Sequence, residues 1–290
     1  MIGEDAFFLQ GFACNRAEGM VCWNHRAGGL PQQREGAAKM EEMETLAAWL
    51  KTSERVVAFT GAGVSTESEI PDFRSSGGVY ESIRKQYGQE PEVLLSHDFF
   101  MQNPAVFYDY LRRYLVFPDA EPNDAHKAFA MLERQGKLSA VVTQNIDGLH
   151  SKAGSQTVYE LHGSVYRNHC LSCGRRYGLD VVLEAPSVPQ CACGGMIRPD
   201  VVLYGEGLDS ATVEGAVRAI ERADLLLVAG TSLAVYPAAG LIDYFHGEHL
   251  ALLNKSGTPY DRRADLCIRA AAGATLRAAM EQAGLWEDAC

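Results

Sequence analysis

The sequence predicts an α/β fold, a parallel sheet with helices on both faces, together with a smaller domain inserted into it. Three observations carry this reading. From about residue 40 onward, short strand-like apolar runs alternate with segments of helical periodicity, the pattern that builds a parallel sheet. Several of these runs end in small or polar residues, which open parallel sheets place at the carboxyl edge where ligands bind. Two stretches, 75–118 and 163–198, break the rhythm: the first reads as mainly helical, and the second holds two close cysteine pairs.

Residues 1–38 show neither helical nor strand periodicity and are not assigned to the fold. They are expected to be a disordered N-terminal extension or a mis-called start, with Met40 as the biological beginning. Met43, Leu46, Ala47 and Leu50 then recur at helical spacing, and a strand follows over 55–59. Further strands are expected at 138–142, 158–161, 201–203, 224–229, 249–253 and 265–268. Helices are expected at 105–115, 125–135, 211–222, 238–244 and 274–282. The large domain then comprises about 39–74, 119–162 and 199–290, and the small one 75–118 and 163–198. No repeat or low-complexity tract is evident.

At 290 residues and 47% hydrophobic content, the chain can bury one large core with a satellite. A net charge of −11 at pH 7, with Lys and Arg scattered, offers no phosphate-neutralising field, so nucleic acid is not an expected partner. No run approaches the roughly 20 apolar residues that span a bilayer, and the acidic start Met1-Ile2-Gly3-Glu4-Asp5 lacks the positive region of a secretory signal. A cytoplasmic protein without a membrane partner is expected.

Four of the eight cysteines form two pairs, Cys170 with Cys173 and Cys191 with Cys193, each pair followed by a glycine. Four thiolates at this spacing suit a tetrahedral Zn²⁺ and leave no open position for water, so the metal would be structural. The second pair has one intervening residue rather than two, a tighter knuckle. Two alternatives stay open: ordinary buried cysteines, and His169 as a ligand in place of Cys193.

Candidate ligand-binding residues gather at the strand ends. Gly61-Ala62-Gly63 allows a tight turn and close approach to a ligand, and Ser65 and Thr66 can open a helix whose amino end favours phosphate. This is not the full three-glycine fingerprint, and alone it is weak. Gly230-Thr231-Ser232 and Asn254-Lys255-Ser256 repeat the arrangement after two later strands, and Thr143-Gln144-Asn145-Ile146-Asp147 follows a fourth. Pro71-Asp72-Phe73-Arg74 lies between the first and last of these. His162 follows a short strand, and a histidine near neutrality can take a proton from a sugar hydroxyl. A structural histidine, and turn roles for Asn145 and Asp147 before Gly148, are the plainer alternatives.

In combination these motifs resemble the sirtuins, NAD-dependent protein-lysine deacylases, from about Met40 to Leu285. Leu161-His162-Gly163, Gly205-Glu206 and the four cysteines belong to the same resemblance. It implies a Rossmann-type large domain, a small domain with a zinc ribbon and a helical module, and an acyl-lysine tunnel between them. NAD would be the co-substrate and acylated lysine side chains of proteins the partners. Gly61, Ala62, Gly63, Ser65, Thr66, Asp72, Phe73 and Arg74 would line the NAD pocket and its mobile loop. Gln144 would contact the nicotinamide-side ribose, while Asn145, Ile146 and Asp147 would shape the nicotinamide pocket. Gly230, Thr231, Ser232, Asn254, Lys255 and Ser256 would hold the adenosine half. His162 would be the general base, with Asn145 the second catalytic residue. The implied activity is deacetylation, transferring the acyl group to ADP-ribose with release of nicotinamide; protein ADP-ribosyl transfer or NAD hydrolysis is the alternative.

Two departures from the family pattern stand out. Glu69 occupies a place where the family usually has glycine. Tyr108 and Arg112 are four apart, where desuccinylase-like members space a Tyr and an Arg by three, and Leu111 takes the expected arginine place. Asp72, in place of that subclass's threonine, further favours acetyl over acidic acyl groups.

Overall fold

The computed structural model describes residues 31–72 and 79–287. The expectations for residues 1–30, Phe73 and Arg74 lie outside them. A compact unit spans Ala38–Cys290. The elements run α1 (Pro31–Thr52), β1 (Val56–Thr60), a 3-10 turn (Ala62–Ser68), α2 (Val79–Tyr87), α3 (Pro91–Leu94), α4 (His97–Gln102), α5 (Pro104–Tyr114) and α6 (Asp124–Arg134). Then come β2 (Leu138–Thr143), α7 (Leu149–Lys152), β3 (Val158–Glu160), β4 (Gly163–Cys170), β5 (Arg176–Tyr177), α8 (Asp180–Glu184) and β6 (Ile197–Val201). The chain closes with α9 (Ser210–Arg222), β7 (Leu225–Ala229), a 3-10 segment (Ala238–Tyr244), β8 (His249–Leu253), β9 (Leu266–Ile268) and α10 (Ala272–Ala283). Helix α1 starts nine residues ahead of Met40. Its early sequence, Gln32-Gln33-Arg34-Glu35-Gly36, has no apolar stripe, so no periodicity announces it.

Six strands form one parallel sheet in the order β3-β2-β1-β7-β8-β9. Strand β1 shows why it sits centrally, since all five of its residues are buried. Val56 and Ala58 pack on one face with Leu46, Leu50, Phe129, Leu132 and Leu276, contributed by α1, α6 and α10. Val57 and Phe59 pack on the other with Ile220 and Ile242, from α9 and the second 3-10 segment. Each fully buried Leu, Ile or Phe contributes roughly 1.5–3 kcal/mol, so the alternation along β1 joins the two helical layers through the sheet.

The expected strand 201–203 is not part of this sheet. Ile197–Val201 instead pairs antiparallel with β4 in a three-stranded sheet, order β5-β4-β6. Pro199 is tolerated there because β6 is an edge. Beyond it, Val202 and Leu203 carry the chain towards α3: Tyr204 N donates to Leu95 O at 2.9 Å, and His97 N to Tyr204 O at 3.0 Å. An apolar run shows that a segment is buried, and says nothing of which sheet it joins. The two insertions share one core. Ile83, Leu94, Phe100, Phe107 and Tyr110 from the helices pack with Val165 and Val201 of the small sheet, Phe100 meeting Phe107 edge-on at 4.7 Å.

Candidate active site

At the carboxyl edge of the parallel sheet lies a cavity of about 500 Å³. Of the residues singled out in the sequence, Gly61, Ala62, Gly63, Ser65, Asp72, Gln144, Asn145, Ile146, Asp147, His162, Gly230, Thr231, Ser232, Asn254 and Ser256 line it. Thr66 and Lys255 do not. The Thr66 hydroxyl turns back to Gly63 O at 2.9 Å, closing its own turn, and Lys255 is exposed. Sequence reading missed the apolar end of the cavity, built by Leu95, Tyr110, Leu115, Phe117, Val201 and Leu203. These come from three separate segments with no shared motif, so no local signal marks them.

The glycines serve loop-to-loop contact. Gly63 N donates to Gly230 O at 2.7 Å and Gly61 N to Ala229 O at 3.2 Å. A Cβ on Gly63 would stand 2.8 Å from Gly230 Cα, and one on Gly230, whose φ is 61°, would stand 2.1 Å from Val64 N. The loops after β1 and β7 therefore lie backbone on backbone. The helical turn also begins at Ala62, ahead of Ser65, so Ser65 points inward to the polar network below. Glu69 ends this turn with φ 64° and ψ 12°, the left-handed region, where a side chain costs about 1 kcal/mol or more. That geometry accounts for the glycine usual at this place.

The nicotinamide-side candidates form one hydrogen-bonded chain. Asn145 Nδ2 donates to Ser65 Oγ at 3.0 Å, and the Ser65 hydroxyl donates to Asp147 Oδ2 at 2.7 Å. The other oxygen of Asp147 accepts from Leu149 N at 3.0 Å. Burial pushes the Asp147 carboxyl above its ordinary value, and these bonds offset that only in part. His162 Nδ1 lies 2.9 Å from the carbonyl oxygen of Gln144. A carbonyl can only accept, so Nδ1 carries the proton and Nε2 the basic lone pair. Beside it, Gly163 has φ 75°, and a Cβ there would come within 1.8 Å of Asp200 O. Only glycine lets β4 begin directly after His162 against β6.

Gly205-Glu206 closes the far wall of the cavity. Burial pushes the Glu206 carboxyl up, but bonds from Arg198, Leu203 N and His97 outweigh this and hold it down at about 2. It stays ionised and pins the turn after Leu203.

Away from the cavity, the Sγ atoms of Cys170, Cys173, Cys191 and Cys193 lie within 4.8 Å of one another. Cys170 and Cys193 are 3.5 Å apart, and Cys173 and Cys191 3.6 Å. Both separations are far too long for a disulfide. They approach the ~3.8 Å edge of a tetrahedron with ~2.3 Å metal–sulfur bonds, so the four donors fit Zn²⁺. Hydrogen bonds from Cys193 N and the Tyr177 hydroxyl draw the Cys191 thiol down to about 6, towards thiolate. His169 is not among the donors, and its Nδ1 is bonded to Asp200. Tyr108 and Arg112 do not line the cavity either. The Tyr108 hydroxyl donates to Ile197 O, and Arg112 donates to Val182 O at 2.9 Å and to Ser187 O. Both tie α5 to the small sheet and its loop.

Among the described residues no helix is long and apolar enough to cross a membrane. The profile of the Sir2 family matches residues 61–237. The NAD-dependent protein deacetylase of Cutibacterium acnes is 54% identical over 235 residues, 81% of this chain and 96% of that protein. That of Clostridium acetobutylicum is 51% identical over 240 residues, 82% and 96% of the two chains. A solved complex of Sir2 with p53 peptide and NAD⁺ superposes with a TM-score of 0.75 at 39% identity, over 84% of this chain and 99% of that one. With more than four-fifths of its length matched at about half identity, and with the family profile covering residues 61–237, the chain belongs to the Sir2 family.

Proposed function

We propose that this protein is an NAD-dependent protein-lysine deacetylase, in which His162 is the general base. The observation that carries the reading is the His162 ring on the cavity wall, its Nδ1 proton directed to Gln144 O so that the basic lone pair is on Nε2. Bound NAD supplies an ADP-ribose acceptor with nicotinamide as the leaving group. Asn145 and Asp147, fixed through Ser65, orient the amide that leaves. Gln144 reaches across to Thr231 Oγ1 at 3.1 Å, which ties the ribose side of the cleft to the adenosine side at Gly230, Ser232 and Asn254. The apolar end receives the acyl-lysine and keeps water from the reacting carbon.

An acetyl rather than an acidic acyl group fits this lining. Leu111 is buried in the core, and Tyr108 and Arg112 spend their polar atoms on backbone carbonyls. Among the described residues no Lys or Arg lines the cavity, so a carboxylate-bearing chain would find no cation to receive it. Cys170, Cys173, Cys191 and Cys193 would give a Zn²⁺ four thiolate ligands, and the metal would hold the β4–β5 turn to the loop before β6.

Incubation of the protein with NAD and acetyl- or succinyl-lysine peptides, followed by mass spectrometry, tests the reading. The expected products are nicotinamide, free lysine peptide and O-acetyl-ADP-ribose, with acetyl preferred at least tenfold. His162→Ala is expected to lower kcat by 10² or more with NAD binding retained. Free ADP-ribose or an ADP-ribosylated peptide as the sole product would overturn it.

A further inference from the structure

Behind the cleft, outside every role assigned above, lies a pair of histidines shut off from solvent. His126 on α6 is 0% exposed and His150 on α7 is 2% exposed, with ring centroids 4.7 Å apart. His126 Nδ1 accepts from Asn123 N at 3.3 Å, so the neutral ring carries its proton on Nε2. His150 Nε2 lies 2.9 Å from Thr60 Oγ1, whose single proton goes to Thr143 Oγ1 at 2.9 Å. His150 must therefore be the donor through Nε2, leaving its lone pair on Nδ1. His126 Nε2 and His150 Nδ1 are the two ring atoms without a hydrogen-bond partner. One is a donor and the other an acceptor, so the two neutral rings, tilted 58° to one another, are mutually compatible. Burial keeps both neutral, lowering His126 to about 4 and His150 well below its ordinary value.

The chain continues past Thr143. Its Oγ1 also accepts the N–H of Asn145 at 3.0 Å. That N–H and the carbonyl of Gln144 are the two poles of one planar peptide unit, and the carbonyl is the acceptor of His162 Nδ1 at 2.9 Å. Turning this plane to satisfy one pole fixes the other. We propose that His150 is a positioning residue for the reaction: through Thr60 and Thr143 it sets the Gln144–Asn145 peptide plane, and the plane holds the His162 proton on Nδ1. The proposal rests on the reading of His162 as the base. It gives a buried histidine that touches no substrate control over which nitrogen of a second histidine is basic. It also explains why Thr60 and Thr143, the last residues of adjacent strands β1 and β2, are hydroxylic at fully buried positions.

The test uses the full-length protein labelled with ¹⁵N in its imidazoles, and compares His150→Leu, which fills the space without a donor, with His150→Gln, whose amide can donate to Thr60. Thr143→Val breaks the same chain nearer to His162, and serves if His150→Leu does not fold. In His150→Leu and Thr143→Val, the His162 ¹⁵N shifts are expected to move towards a mixture of tautomers. Their kcat is expected to fall about tenfold, the scale of one net hydrogen bond, with KM for NAD within twofold. His150→Gln is expected to restore both the shifts and kcat to within about threefold of the parent. An unchanged His162 tautomer in Thr143→Val and His150→Leu overturns the proposal, whatever happens to kcat. A shifted tautomer with full kcat leaves the relay standing and removes His162 from the chemistry.

Discussion

The two ends of the cleft are built by different means. At the sheet end, the loops after β1 and β7 meet main chain to main chain, Gly63 lying directly on Gly230, and polar side chains join them to the loop after β2. At the apolar end, side chains from α3, α5 and the segment after β6 meet within an aromatic core shared with the three-stranded sheet. The first end is made of backbone and needs particular residues at particular places. The second is made of volume, and many sequences of similar bulk fill it. Precision of residue type therefore belongs to the sheet end, and tolerance to the apolar end.

The largest expected effect separates the ends by their supports. Cys170→Ala removes one of four thiolate donors, and a structural zinc held there would contribute on the order of 10 kcal/mol to the elements that it ties. The small sheet is expected to unfold and activity to be lost, while the parallel sheet keeps its far-ultraviolet circular dichroism; metal content falls to zero. A zinc-free, stable and active variant would show that the apolar end does not depend on the cluster.

A middle-sized effect probes the backing of the sheet end. Unfolded His126 takes up a proton near 6.5, whereas in the fold it does so only near 4, so between these values the unfolded chain binds more protons. Stability is then full above pH 6.5 and falls as the pH drops towards 4, by about 3 kcal/mol at 1.36 kcal/mol per unit. His150 acts in the same direction. Urea midpoints across this range, set against those of His126→Gln, should show the parent losing more, and parallel curves would refute the assignment.

The smallest effect tests the fit of one turn. Glu69→Gly relieves the left-handed strain and gives back some unfolded-state entropy, for a net gain of about 0.5–1 kcal/mol. A thermal midpoint raised by a few degrees is the expected outcome, and a lowered one would mean that Glu69 makes a contact outweighing its strain.

These differences also account for what the sequence discloses. Runs such as Val56-Val57-Ala58-Phe59 ending in Thr60 give strand, face and edge together, so the six parallel strands and most cleft residues at their ends were legible. The cysteine pairs were legible because metal geometry dictates spacing. The strand expected at 201–203 shows the limit: its residues are apolar enough to be buried, but partner choice was decided by antiparallel pairing with β4, which starts 34 residues before Ile197. Thr66, read as opening a helix, and Lys255, read with its motif, are off the cavity wall because the Thr66 hydroxyl closes its own turn and Lys255 is exposed. Tyr110, Leu115 and Phe117 carry no signature because packing, not chemistry, put them on the wall. His150 carries no local signal of a role, because its reach to His162 exists only once β1 and β2 lie side by side.

The contact of Gly63 with Gly230 has a consequence for engineering. Two strand-end loops joined main chain to main chain act as one stiff plate, since neither can retreat without breaking the bond to its neighbour. Redesign for a bulkier cofactor analogue would have to carve space from the opposite wall, where side chains can be shortened one by one.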